Sequence, residues 1–121
     1  MGSGLIMAIS EFEEKRIEKI VGAFIAKHRP PAHIRKELDF DYRFKDQSIE
    51  IFEVSPSWKD PSATTESFVA KITYVKSKKI WKLFWQRADL KWHGYEPFPS
   101  GKTLEDCLAV IDNDEYACFW G

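Results

Sequence analysis

A chain of 121 residues that is 44% hydrophobic and 15% aromatic is too apolar for disorder and long enough to bury one core without metal or disulfide staples. Its formal net charge of −1 offers no overall field to draw in nucleic acid or an acidic membrane, and no apolar run approaches spanning length. Two isolated cysteines, Cys107 and Cys118, rule out a disulfide framework and a C-x-x-C zinc site, and His28, His33 and His93 lack ligand spacing with one another. The expectation is a reduced, cytoplasmic protein with no metal and no cofactor. Met1-Gly2-Ser3-Gly4 reads as a cloning remnant within residues 1–6, and Met7 as the native start of one domain over 7–121.

Ser10 and Glu13 form a capping box, each side chain satisfying a backbone donor at the other's position. Ile17, Ile20, Val21, Phe24 and Ile25 then follow one helical face, with Glu14, Lys15, Glu18 and Lys19 on the wet side, until Pro30 and Pro31 end the helix. Over 38–45, Leu38, Phe40, Tyr42 and Phe44 alternate with Asp39, Asp41, Arg43 and Lys45, the period of a half-buried strand. The turn Lys45-Asp46-Gln47-Ser48 leads into a partner strand over 49–54. Phe44 opposite Ile49 then pairs Tyr42 with Ile51 and sets Arg43 against Glu50 on the outer face. Residues 55–66, with Pro56 and Pro61, make a long connection. A second hairpin joins 68–75 to 80–87 around Lys76-Ser77-Lys78-Lys79, pairing Val75 with Ile80, Tyr74 with Trp81, Ile72 with Leu83 and Ala70 with Trp85. A second helix begins at Thr103, buries Leu104, Cys107, Leu108 and Ile111, and ends near Asn113. A short strand over 116–120 follows it.

The predicted fold class is α+β: a four-stranded antiparallel meander of two hairpins, with an N-terminal helix on its inner face and a C-terminal helix. Trp81 and Trp85 belong beneath the first helix, against Ile20 and Phe24. The outer face keeps Phe52, Val54, Val69, Val75, Ile80 and Phe84, a patch that needs cover from the second helix or from a second copy of the chain.

Charge is unevenly spread. Between residues 69 and 95, Lys71, Lys76, Lys78, Lys79, Lys82, Arg87 and Lys91 face one acid, Asp89, and are interleaved with Tyr74, Trp81, Phe84, Trp85, Trp92 and Tyr95. Residues 96–121 hold six acids against Lys102 alone. The two segments are expected to neutralise each other within the fold or across a dimer.

One resemblance rests on particular residues. Arg29-Pro30-Pro31 followed by His33-Ile34-Arg35, then Ser48-Ile49-Glu50-Ile51-Phe52-Glu53-Val54 and Arg87-Ala88-Asp89-Leu90-Lys91-Trp92-His93-Gly94-Tyr95, resembles a family of short bacterial proteins catalogued as a domain of unknown function. Such proteins also occur among mobile, integron-type gene cassettes. The resemblance runs from about Met7 to the C-terminus and implies a bacterial cytoplasmic protein. It brings no reaction, cofactor or catalytic residue with it.

Three chemistries compete. Asp89-Leu90-Lys91 at a strand end has the acid-x-Lys pattern of metal-dependent nucleases. Period-two geometry would put both groups on one face, the acid to hold Mg²⁺ and the lysine to orient water, with Glu53 or Asp60 as second acid. The structural alternative is a strand-end ion pair. Basic and aromatic interleaving suits single-stranded nucleic acid, since bases stack on rings while lysines track phosphates. Trp81 and Trp85 fall on the inner face, however, which leaves Phe84, with Lys71 and Lys82, as the outward platform. The leading expectation is a small non-enzymatic binding module that forms a homodimer and has no membrane contact. Its site residues are Glu53, Arg87, Asp89, Lys91, Trp92 and His93. The row Phe40, Glu53, Phe68, Arg87 places one charge per hairpin on the inner face, so Glu53 and Arg87 are expected to meet over Phe68.

Overall fold

The computed structural model describes residues 10–120, so the reading of residues 1–6 and of Met7 lies outside the described residues. Ser10 opens helix α1 (Glu11–His28), its hydroxyl accepting from the Glu13 backbone N–H at 3.2 Å. The acids Glu11, Glu13 and Glu14 lie in the first turn, where the exposed N–H groups favour negative charge. Ile17, Val21, Phe24 and Ile25 are its buried stripe. Arg29 leaves helical geometry at the prolines, and its guanidinium clamps the Asp39 carboxylate at 2.8 and 2.6 Å.

Four long antiparallel strands follow: β1 (Asp39–Lys45), β2 (Ser48–Pro56), β3 (Thr64–Val75) and β4 (Ile80–Gln86). Both hairpins keep the expected register, with Phe44 opposite Ile49, Arg43 opposite Glu50, Val75 opposite Ile80 and Tyr74 opposite Trp81. Asp46 and Lys79 take left-handed φ angles of 56° and 52° to close the two turns. The meander is longer than four strands. β5 (Trp92–Gly94) pairs with β4 and extends the order to β1-β2-β3-β4-β5, and the two-residue β6 (Ser100–Gly101) also pairs with β4. The connection between hairpins is shorter than expected, because β2 runs to Pro56 and β3 starts at Thr64.

Thr103 caps helix α2 (Leu104–Asn113), accepting from the Asp106 N–H at 3.1 Å. Leu104, Cys107, Leu108 and Ile111 are buried as expected, in the same core as Ile17, Val21, Ile49, Ile51, Ile72 and Leu83. Both helices therefore pack on the inner face: α1 against β1, and α2 against β3, β4 and β6. Gly101 lets this approach happen, since a Cβ there would lie 3.1 Å from both Cys107 Sγ and Phe98 Cε2. Helix α2 is thus not available to cover the outer face.

Three further expectations need correction. Trp81 is 7% exposed but sits under α2, where Cys107 Sγ donates to its carbonyl at 3.5 Å; Phe24 of α1 instead meets His28 and Trp120. Val69 is core, not outer face, because the register of β2 on β3 shifts between Ile51 and Phe52. Ile51 pairs with Ala70 but Phe52 pairs with Phe68, so Val69 is the extra residue of a bulge and Phe68 turns outward. The segment over 116–120 is not a strand. Asp114 at φ 41° ends α2, and its carboxylate accepts from the N–H groups of Phe119 at 3.0 Å and Trp120 at 2.9 Å, using donors a strand would need. Trp120 then stacks on His28 at 4.7 Å and donates Nε1–H to the Ile111 carbonyl, closing the end of the core. Among the described residues no helix is long and apolar enough to cross a membrane.

Trp81→Ala is expected to lower unfolding free energy by about 3–5 kcal/mol, the usual cost of emptying a buried aromatic site. Trp85, half-buried, should cost clearly less. Urea midpoints of the two variants check the order, and equal losses would contradict this packing.

Candidate functional site

The expected site residues cluster around the link from β4 to β5, and the backbone explains why. The chain leaves β4 at Gln86 and reverses through residues 87–90, with Leu90 in the left-handed region at φ 62°. Leu90 N–H donates to the Arg87 carbonyl at 2.8 Å, and Gln86 Nε2 donates to the Leu90 carbonyl at 3.2 Å. Asp89 folds back on the turn, its Oδ1 accepting from the Lys91 N–H at 2.9 Å and its Oδ2 lying 2.9 Å from His93 Nε2. These contacts hold the Asp89 carboxyl below the ordinary 3.8, the Lys91 N–H first and the His93 ring second.

Arg87, Asp89, Lys91 and His93 therefore do share one turn, but not as the acid-x-Lys pattern suggested. Asp89 lies outside both strands, so period-two alternation does not apply to it. It spends its oxygens on the turn itself. Glu53 stands on β2 between Phe40 and Ser67, three strands from β5 along the sheet. Among the described residues no ion pair joins Glu53 to Arg87: β3 lies between their strands, Ser67 stands beside Glu53, and Arg87 has already left β4 for the turn. Asp60 is engaged by Ser62 within the β2–β3 connection. No group of three or more His, Cys, Asp or Glu residues among those described is placed to hold a metal ion.

Two surfaces emerge instead. On the inner side, Arg87 and His93 line a cleft of about 430 Å³ together with Trp85, Tyr95, Tyr116 and Cys118. Trp85 and His93 are register partners, and the Arg87 guanidinium lies over the Trp85 ring at 5.6 Å. Tyr95 is 2% exposed, packs on Phe119 at 4.8 Å, and burial raises its phenol pKa. Burial also raises the Cys118 thiol, and pushes the Cys107 thiol up to about 12. Neither thiol is a ready nucleophile. Sequence reasoning missed Tyr116 and Cys118. The available signal was Asn113-Asp114, turn chemistry that brings the C-terminal segment back over β5.

On the outer side, Trp92 joins a run of rings. Arg43 lies over Phe52 at 4.5 Å, Phe52 meets Phe68 edge-on at 6.3 Å, and Phe68 meets Trp92 at 5.3 Å. Lys71 Nζ lies over both Phe84, at 5.1 Å, and Trp92, at 5.2 Å. Trp92 and His93, adjacent in sequence, thus serve opposite faces of the sheet.

The family model described as Domain of unknown function (DUF3024) matches residues 9–121, and the chain belongs to that family. No curated protein and no solved structure matches the chain.

A carboxylate whose folded pKa is depressed adds stability above its ordinary value and loses that contribution as pH falls through the folded value. The Asp89 turn should therefore hold at neutral pH and loosen only below pH 3.8. In a carbon-detected NMR titration, His93→Ala should move the Asp89 midpoint upward while leaving it below 3.8, since the Lys91 N–H remains.

Proposed function

We propose that this member of the DUF3024 family is a small non-enzymatic interaction module that forms a homodimer through the sheet face opposite its helices. One observation carries the reading. The face that neither helix covers carries Phe52, Phe68 and Trp92 in a continuous run of rings, with Phe84 joined to Trp92 through Lys71, flanked by Val54, Val75 and Ile80. An antiparallel sheet with one solvated face ordinarily turns polar side chains to the water, so this dressing fits a docking surface.

A second copy of the chain suits the face by charge. Register places Asp39, Asp41, Glu50 and Glu66 on it with Arg43, Lys45, Lys71 and Lys82, four acids against four bases. Such balance offers a polyanion no net attraction, while a two-fold axis can set the acids of one copy over the bases of the other. Five strands about 4.8 Å apart give a face on the order of 20 by 25 Å, about 500 Å² in projection, so the rim loops must join it to reach the roughly 800 Å² per partner of a standard interface. The two free cysteines fit the reduced, cytoplasmic bacterial setting that the sequence suggests.

Single-stranded nucleic acid is the second reading, supported by Lys71 Nζ lying over two rings at once. Salt-sensitive retention on heparin, lost in Lys71→Glu, would favour it.

Light scattering at high micromolar concentration should report twice the 14.1 kDa chain mass. Phe84→Glu and, separately, Phe68→Ser should give a monomer with an unchanged circular dichroism spectrum. A monomeric parent chain at that concentration overturns the proposal.

A further inference from the structure

The inner-face cleft combines features that serve no evident structural purpose. Arg87 is exposed and makes no ion pair or side-chain hydrogen bond among the described residues, although six ion pairs form among them elsewhere in the fold. Its guanidinium lies over the Trp85 ring, 5.6 Å from the ring centre. A guanidinium carries its N–H donors in a planar fork that matches a carboxylate. Beside it, His93 commits Nε2 to Asp89, which fixes the ring and leaves Nδ1 as its remaining polar atom. Trp85 comes from β4 and the 61%-exposed Tyr116 from the C-terminal segment, so two separate parts of the chain bring aromatic surface to one cavity. Its volume of about 430 Å³ lies in the range of small-molecule sites.

We propose that this cleft binds a small planar aromatic monoanion, an aryl carboxylate, with its carboxylate on Arg87 and its ring against Trp85 and Tyr116. The charge of the surroundings selects a single negative charge over a double one. Glu96 also lines the cleft, and the Asp89 carboxylate stands behind His93, so two carboxylates flank the single cation of Arg87. A phosphate monoester, close to dianionic at neutral pH, meets more repulsion there than a carboxylate does. The site lies on the side of the sheet opposite the ring run of Phe52, Phe68, Phe84 and Trp92, and its occupancy is independent of self-association.

The test uses 2-naphthoate as the probe, followed by NMR through the Trp85 indole N–H and the His93 ring resonances of the full chain. Saturable shifts of both are expected in the micromolar to low millimolar range. The neutral 2-naphthamide, the non-aromatic cyclohexanecarboxylate and the dianionic 2-naphthyl phosphate should each bind at least about tenfold more weakly, since each lacks one required feature. Arg87→Met should cost a similar factor, and Arg87→Lys should not restore affinity, because lysine keeps the charge and loses the fork. The Phe84→Glu variant should bind 2-naphthoate as the parent does. No shift up to about 10 mM would overturn the proposal, as would equal binding of the amide or tighter binding of the phosphate.

Discussion

Two amphipathic helices sealing the same face of one antiparallel sheet is the constraint on which the rest of this molecule depends. Ile17 and Val21 of α1 and Leu104, Cys107 and Ile111 of α2 enter one core with Ile49, Ile51, Ile72 and Leu83. Each helix has a single apolar stripe, and each stripe is used on that face. The opposite face must then meet water or a partner with whatever its strands present. It presents rings and aliphatic side chains, with cations laid over the rings and acids beside them.

A one-residue irregularity in β3 sets how those rings are arranged. The bulge at Val69 sends that side chain into the core and turns Phe68 outward, next to Phe52 and Trp92. Without it, strict alternation would bury Phe68 and break the outer run. One extra residue thus completes the aromatic face.

The titratable groups of the cleft are governed by burial and by the turn beneath them. Its thiol is raised by burial, its phenol likewise, and Asp89 spends both oxygens on the turn and the His93 ring. Beside them stand the Arg87 guanidinium, over the Trp85 ring, and the exposed ring of Tyr116.

The sequence by itself determined the elements and their local pairing. Capping at Ser10 and Thr103, the helical stripes, the period-two runs and four-residue turns are all set by neighbours close along the chain. For that reason the α+β class, both hairpin registers and the buried face of the second helix could be read directly from residues. Tertiary structure decided everything that requires distant segments to agree. Which side of the sheet α2 takes depends on the fit of Cys107 against Gly101 and Trp81, contacts with no periodic signature. The Val69 bulge is invisible to alternation, because two adjacent apolar residues, Phe68 and Val69, read equally well in either register. The C-terminal segment looked like a strand by composition and became a turn because the Asp114 carboxylate captured its N–H groups. The cleft needs that turn to bring Tyr116 to Arg87, a meeting of residues far apart in the chain that only the packed core enforces.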